Sequence, residues 1–596
     1  MGTAEKPVML TRESKVEINF AGPEESRAAR WLWRDWIAAI ALFLATAAVV
    51  LWQNSRLGVL WDLSYILENS YRVSLGDMPY RDFPLAHAPG TFLIQAALIK
   101  LTGRAVFHHL LYCAVIGGLS TVLAWRILCN LLRSDPKAAW GLALMLSTPL
   151  TVLGIYCIFP HPFYDPDCTF AILVGILLLL NLERGGFGPC RAFISGLVLV
   201  IPLFVKQNTG LAFVGSTALV LIALVAREAW HRRRVAGYLW LLAGMAAGLV
   251  SALLLIHVRV GLGSYAYWTL HYAGSRRLPR LSDMLSVYQE HTQAWWWLAA
   301  FIAGLLLLRW APRGRRFLVV SISALILPFV WVLVAQFIKD DPSDRAELLL
   351  ALWPFVLIVA AISSVLRLRG PGGIVTLALP FIVIGSIHGA FLSQQLWGST
   401  YAIWPLLIIL LGSSYVAIGE SLKERSVEMR AVVFVATMSL IVAGGFYVYD
   451  HERLNYADLS GEVARSKLPA LTGLSIPGPW IPQFEQLVGY AEQEIPQSDG
   501  LLMIPGEDLF YYATGRHPRF PVLVFDYTVN PYTPDEILDL SRSRNIRWLI
   551  VKRKVQLNRD PVEDRERLLA LLMQDFHPVK SLDNYDVYQR NAPPHS

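Results

Sequence analysis

The chain has 596 residues, 55% of them hydrophobic and 16% charged, with a mean hydropathy of +0.45. That is too apolar for an ordinary soluble enzyme and describes a polytopic membrane protein. The net charge of +7 does not point to nucleic acid, because the basic residues form short clusters between apolar runs rather than one basic face.

Twenty Trp and 23 Tyr fit a bilayer, since amphipathic rings collect at its interfaces. The five cysteines (113, 129, 157, 168 and 190) form no CxxC pair, which argues for free, buried thiols. Cys157 and Cys168 are the two able to meet across one external loop. The first ~30 residues are polar and contain no apolar core of a cleavable signal, so the first span is expected to act as the insertion signal.

Residues 1–35, with Lys6, Arg12, Lys15, Arg27, Arg30 and Arg34, read as a cytoplasmic tail. At about 20 residues per crossing, thirteen apolar runs follow, at 36–52, 106–125, 138–158, 168–182, 192–205, 207–226, 235–258, 294–308, 317–338, 348–366, 371–393, 401–419 and 431–449. Those at 168–182, 192–205 and 294–308 are short for a bilayer. With the tail inside, the inner connections (126–137, 183–191, 227–234, 309–316, 367–370, 420–430) hold 18 Lys and Arg in 52 residues. The outer ones (53–105, 159–168, 206, 259–293, 339–347, 394–400) hold 12 in 115. Inner clusters such as His231–Arg234 and Arg313–Arg316 carry the bias, which has the sign of the positive-inside rule and places the C-terminal region outside.

Between the first two runs, Trp61–Gly90 is unusually polar. Leu60, Leu63, Leu67 and Tyr71 share one face of a helix and Asp62, Tyr65, Asn69 and Arg72 the opposite one, as expected of a helix on a membrane surface. Glu68 points away from Asp62 and reads as solvated. Gly76-Asp77-Met78-Pro79 should end this helix. Asp82 and His87 then sit in a Pro-punctuated loop before a short apolar run at 91–101.

An acidic residue early in the first external loop, Gly76-x-x-Pro79-Tyr80-Arg81-Asp82-Phe83, then His87 and Pro89, resembles the polyprenyl-phosphate-sugar-dependent glycosyltransferases of the GT-C superfamily. That group holds protein O-mannosyltransferases and bacterial aminoarabinose transferases. The resemblance implies a GT-C-like helical domain over 36–449 and a catalytic carboxylate at Asp62. Two departures stand out. Relatives often carry an acidic pair where this chain has Asp62-Leu63, and a Lys before a Pro pair where it has Ala88-Pro89-Gly90.

Further candidates lie on the expected outer side. His161-Pro-Phe-Tyr-Asp165-Pro-Asp167 offers two carboxylates and a histidine able to bind a divalent metal or orient an acceptor. It is equally a turn signature, with Asp167 slightly favoured over Asp165. Lys206 falls midway between the inner clusters at Arg191 and Arg227, where an ammonium needs water or an anion, and a phosphate is the anion this reaction supplies. The resemblance adds a Lys-x-x-x-Gly phrase there. Arg276, Arg277 and Arg280 follow the aromatic run Tyr265-Ala-Tyr267-Trp268 and are able to fork onto phosphate, as is Arg81. Lys339 and Arg345 should be neutralised by nearby aspartates. His388 reads as a hydrogen-bonded bundle residue near Gln394 and Gln395, and Tyr401 opens the twelfth run.

After residue 449, β-like runs at Leu501–Ile504, Pro521–Phe525 and Ile546–Lys552 alternate with helical patterns at Thr533–Ser543 and Val562–Phe576, as in a small extracytoplasmic α/β domain over 450–596. Asp508–Arg516 resembles a phrase of the external domain in relatives. The domain is expected to cap or orient without chemistry of its own.

The leading reading is therefore an inverting glycosyltransferase of the plasma membrane. It uses a polyprenyl-phosphate sugar and an extracytoplasmic acceptor; the residues establish no cofactor, and a divalent metal is the one candidate. The competing classes are a transporter or flippase and a membrane acyltransferase or ligase. A transporter is expected to place charges at mid-membrane, whereas these runs keep theirs at the ends.

Overall fold

The computed structural model describes residues 31–591 apart from 57, 135–138, 233–234, 311–313, 369–372, 394–400, 423–424, 451–460, 527 and 556–561. The basic residues before 31, Arg233, Arg234, Arg313, Gln394 and Gln395 thus lie outside the described residues. The chain divides after Ala41 into two units, and apart from the start of the first span everything below lies in Leu42–Ser596. No division falls at 449, because the C-terminal region packs into the helical part rather than standing apart.

The protein is a polytopic helical membrane protein with a small C-terminal sheet. Among the described residues, nine helices are long and apolar enough to cross a bilayer. Among the described residues each expected run contains helix, but nine rather than thirteen reach crossing length, and 154–158, expected to end the third run, form a turn. Tyr164–Gly185 is longer than its apolar run because the acidic residues ahead of it join its first turn. Ala139–Leu153, Pro189–Phe204 and Val375–Phe391 are shorter apolar helices, and Gln293–Trp310 meets Ser282–Glu290 at a 67° bend.

The expected outer connections gather at one end. Asn54 donates to the Pro160 carbonyl (2.8 Å), the Val59 amide to His161 Nε2 (3.0 Å) and the Ala88 amide to Gln207 Oε1 (3.1 Å). Expected inner segments also pair with one another, as where Arg367 binds Glu420 in a bidentate pair and Glu183 accepts the Val375 amide. Cys157 and Cys168 donate to the Thr151 and Pro202 carbonyls rather than bonding each other, and Cys190 is exposed.

Leu60–Leu75 is the expected first-loop helix. Gly76 ends it in the left-handed conformation, its amide returning to the Arg72 and Val73 carbonyls. It does not lie on a surface. Both faces are buried, the second beneath the C-terminal region, because its polar side chains are spent on that region's backbone. Ser64 donates to the Gly506 and Asp508 carbonyls, and Arg72 to those of Phe520 and Pro521. Glu68, expected in solvent, is 1% exposed and accepts the Tyr512 amide at 3.1 Å. The Asp508–Arg516 phrase is thus the segment that docks on this helix.

Burial pushes the Glu68 carboxyl up to about 8. An unfolded Glu releases its proton near 4.5, so the stability this group contributes is full below that pH. It drains as pH rises and is gone above about 8. Thermal unfolding is expected to show the wild type losing more stability between pH 5 and 8 than Glu68→Gln, which carries no titrating proton. Parallel curves would refute this.

The C-terminal region holds the antiparallel pair β1 (Val463–Arg465) and β2 (Ser475–Pro477), and a four-stranded sheet. The sheet order is β3 (Gly500–Ile504), β4 (Ile546–Lys552), β6 (Tyr585–Arg590), β5 (Phe576–Ser581), with β3 and β4 parallel. Pro521–Phe525, expected as a strand, is irregular. Two of its neighbouring carbonyls serve Arg72, while Phe520, Val522 and Phe525 fill the core under the sheet. Lys552 at the end of β4 is fully buried between Glu507 (2.7 Å) and Asp508 (2.8 Å), which fixes the docking loop from below.

Candidate functional site

Where the first-loop helix, the 86–90 loop, the start of Tyr164–Gly185 and the C-terminal region meet, a cleft of about 360 Å³ opens, counted to its mouth. Asp62 lines it from the first turn of Leu60–Leu75, where the helix dipole favours a carboxylate. The Val59–His161 bond pins that helix end, so His161 serves to hold Asp62 in place and does not face the cleft itself.

One wall is aromatic. His87 stacks on Tyr164 (ring centroids 4.4 Å) and bonds the Tyr65 hydroxyl through Nδ1 at 2.7 Å. Burial, with Arg277 and Lys206 nearby, drives His87 well below the usual histidine range, so it stays neutral and shapes the wall. Tyr80 stands behind the cleft and donates to the His87 carbonyl at 2.6 Å. It holds a left-handed φ of 67° that few non-glycine residues adopt, a strain its contacts must offset.

Lys206 sits at the join of Pro189–Phe204 and Gln207–Trp230, the midpoint expected for it. Two glycines allow the close approach. A Cβ on Gly210 would fall 2.2 Å from the Pro202 carbonyl oxygen, and one on Gly90 would fall 2.7 Å from that of Phe204. The spacing in Lys-x-x-x-Gly is therefore a packing requirement of this turn. The Lys206 ammonium is buried and ion-paired with Asp165, 5.7 Å from the Tyr164 ring.

Asp165 and Asp167 part company. Asp167 accepts from Thr91 (2.7 Å), Tyr112 (2.7 Å) and Tyr156 (2.6 Å), a closed structural knot rather than the favoured ligand. With one carboxylate held by Lys206 and the other by three hydroxyls, the pair does not fit a divalent metal. Among the described residues no group of three or more His, Cys, Asp or Glu is placed to hold one. Asp167→Ala would strand three hydroxyls and is expected to cost about 2–4 kcal/mol, against about 1 for Tyr156→Phe. Thermal unfolding of the two variants checks this ranking.

The three loop arginines separate likewise. Arg277 lines the cleft and donates to Thr528 Oγ1 at 3.1 Å, whereas exposed Arg276 lies over the Tyr272 ring and exposed Arg280 contributes to a local cap with Asp283. Arg81 pairs with Asp82 at the surface (2.8 Å). His388 bonds the Tyr288 hydroxyl and its own helix, as a bundle residue does, and Tyr401 packs against Phe159. None of these five lines the cleft.

Asp526 and Thr528, not foreseen from the sequence, close the other side. Asp526 accepts the Thr528 amide at 2.7 Å and the Thr528 hydroxyl, forming an Asx turn. Asp-x-Thr is a legible turn signal, but nothing local says which surface it meets.

No protein-family model and no curated protein matches the chain. In structure it is similar to ArnT from Cupriavidus metallidurans bound to undecaprenyl phosphate, at 13% identity over 95% of this chain and 100% of that one, with a TM-score of 0.45. The apo state of ArnT gives 15%, 93%, 99% and 0.44. The Archaeoglobus fulgidus oligosaccharyltransferase in complex with Zn and sulfate gives 10%, 86%, 68% and 0.49.

Proposed function

We propose that the chain is a membrane glycosyltransferase that moves a sugar from a polyprenyl-phosphate donor to an acceptor outside the cytoplasm. The observation that carries this reading is the meeting of Asp62 and Arg277 in one cleft, from segments more than 200 residues apart in sequence. A base and a fixed cation facing one small pocket are what glycosyl transfer from a lipid phosphate requires. The first-loop wording supports the same chemistry.

In this mechanism Asp62 takes the proton of an acceptor hydroxyl or amine. The freed oxygen or nitrogen bonds to the anomeric carbon as the bond from that carbon to the phosphate oxygen breaks. The electron pair leaves on the phosphate, whose charge Arg277 meets, and a single displacement inverts the anomeric centre. Lys206, ion-paired with Asp165 behind Tyr164, fixes that wall.

The N-terminus is cytoplasmic in this reading and the C-terminal region lies outside the plasma membrane. Mass spectrometry of lipid, glycan and protein fractions from cells with and without the gene tests it. A glycosyl increment missing from one fraction is the expected result. Unchanged fractions together with an altered leaflet distribution of a lipid-linked sugar would favour a flippase instead.

A further inference from the structure

Asp526 is 1% exposed, yet it lines the cleft that also holds Asp62 and Arg277. Its Oδ1 is committed to Thr528, while Oδ2 is buried with no hydrogen-bond partner among the described residues. A buried carboxylate oxygen left unpaired is costly unless a donor arrives. The Thr528 hydroxyl that donates to Asp526 also accepts from Arg277, so the carboxylate stands one side chain away from the guanidinium. The adjoining backbone is fixed: the Asp526 carbonyl accepts the amides of Val529 (2.9 Å) and Asn530 (2.7 Å), and the Phe525 amide bonds the Pro505 carbonyl.

We infer that Asp526 is a specificity-determining residue that accepts hydrogen bonds from hydroxyl groups of the transferred sugar. The inference rests on the glycosyltransferase reading. If Arg277 holds the phosphate and Asp62 the acceptor, the sugar ring lies between them. A carboxylate beside the phosphate clamp would repel the phosphate and is of use only to a neighbouring donor such as a sugar hydroxyl. The C-terminal region then does more than cap: Asp526 reads the sugar and Thr528 aims Arg277.

The test uses the purified full-length protein in lipid nanodiscs and measures affinity for undecaprenyl phosphate and for undecaprenyl-phosphate hexose, pentose and aminopentose. The wild type is expected to bind at least one sugar-bearing lipid more tightly than the bare lipid. Asp526→Asn, which keeps the shape of the turn, should weaken that complex by about tenfold to a hundredfold while changing bare-lipid affinity by less than about twofold. Thr528→Val should weaken both lipids, because it frees Arg277. Asp526→Glu, which moves the charge by one methylene, gives the same discrimination if the asparagine variant does not accumulate.

Equal losses on both lipids, or no loss on either, would overturn the inference. So would a wild type that binds bare lipid but no sugar-bearing lipid more tightly, although the lipid-phosphate site would survive. A wild type that binds none of these lipids would instead overturn the glycosyltransferase reading itself.

Discussion

Asp62→Asn is expected to lower the rate of sugar transfer by about 10²–10⁴-fold, the range a positioned general base contributes, while donor affinity changes little. Asparagine keeps the size of the side chain and its place in the first turn of Leu60–Leu75, which the Val59–His161 bond holds independently of the carboxylate. What is lost is the ability to take a proton. Turnover measured by mass spectrometry of the glycosylated product, beside binding of the lipid donor, separates the two effects. A loss confined to donor binding would remove Asp62 from the role of base.

Arg277→Ala should strike binding and turnover together. The guanidinium is the cation that lines the cleft, and charge on the departing phosphate grows as the glycosidic bond breaks. Removing it is expected to cost about 10²–10³-fold in kcat/KM, by analogy with the loss of one fixed stabilising donor. Arg277→Lys should recover only part, because a point charge cannot reach Thr528 and a phosphate through one planar fork. Arg276→Ala and Arg280→Ala, whose side chains are engaged elsewhere, should behave as wild type. Equal defects in all three variants would mean that a diffuse basic loop, not one clamp, attracts the donor.

The contrast among these arginines shows what one sequence makes legible. Local pattern located the helix 60–75, its glycine stop, the turn at Lys206 and the strand Ile546–Lys552, since each is encoded by neighbours along the chain. Pattern could not choose Arg277 from Arg276 and Arg280, for all three share one loop and one chemistry. It placed Glu68 in water because the amide that captures it, from Tyr512, lies 444 residues away. It favoured Asp167 over Asp165 for its position near the helix start, where the hydroxyls of Thr91, Tyr112 and Tyr156 close around it.

Asp526 was out of reach for a related reason. The stretch before it is a short, continuously apolar, β-like run, yet Arg72 takes the carbonyls of Phe520 and Pro521 that a sheet ladder would use. The chain therefore leaves the sheet and delivers its next turn to the cleft. Membrane and C-terminal segments thus share one site through long-range hydrogen bonds that no window of sequence contains.

The most direct measurement is a cryo-electron-microscopy structure of the full-length protein with undecaprenyl phosphate. The account predicts phosphate density within hydrogen-bonding reach of Arg277, with the space between Asp62 and Asp526 left for a sugar. Phosphate bound at the far end of the helices, or at Arg81 or Arg280 with the cleft unchanged, would contradict it.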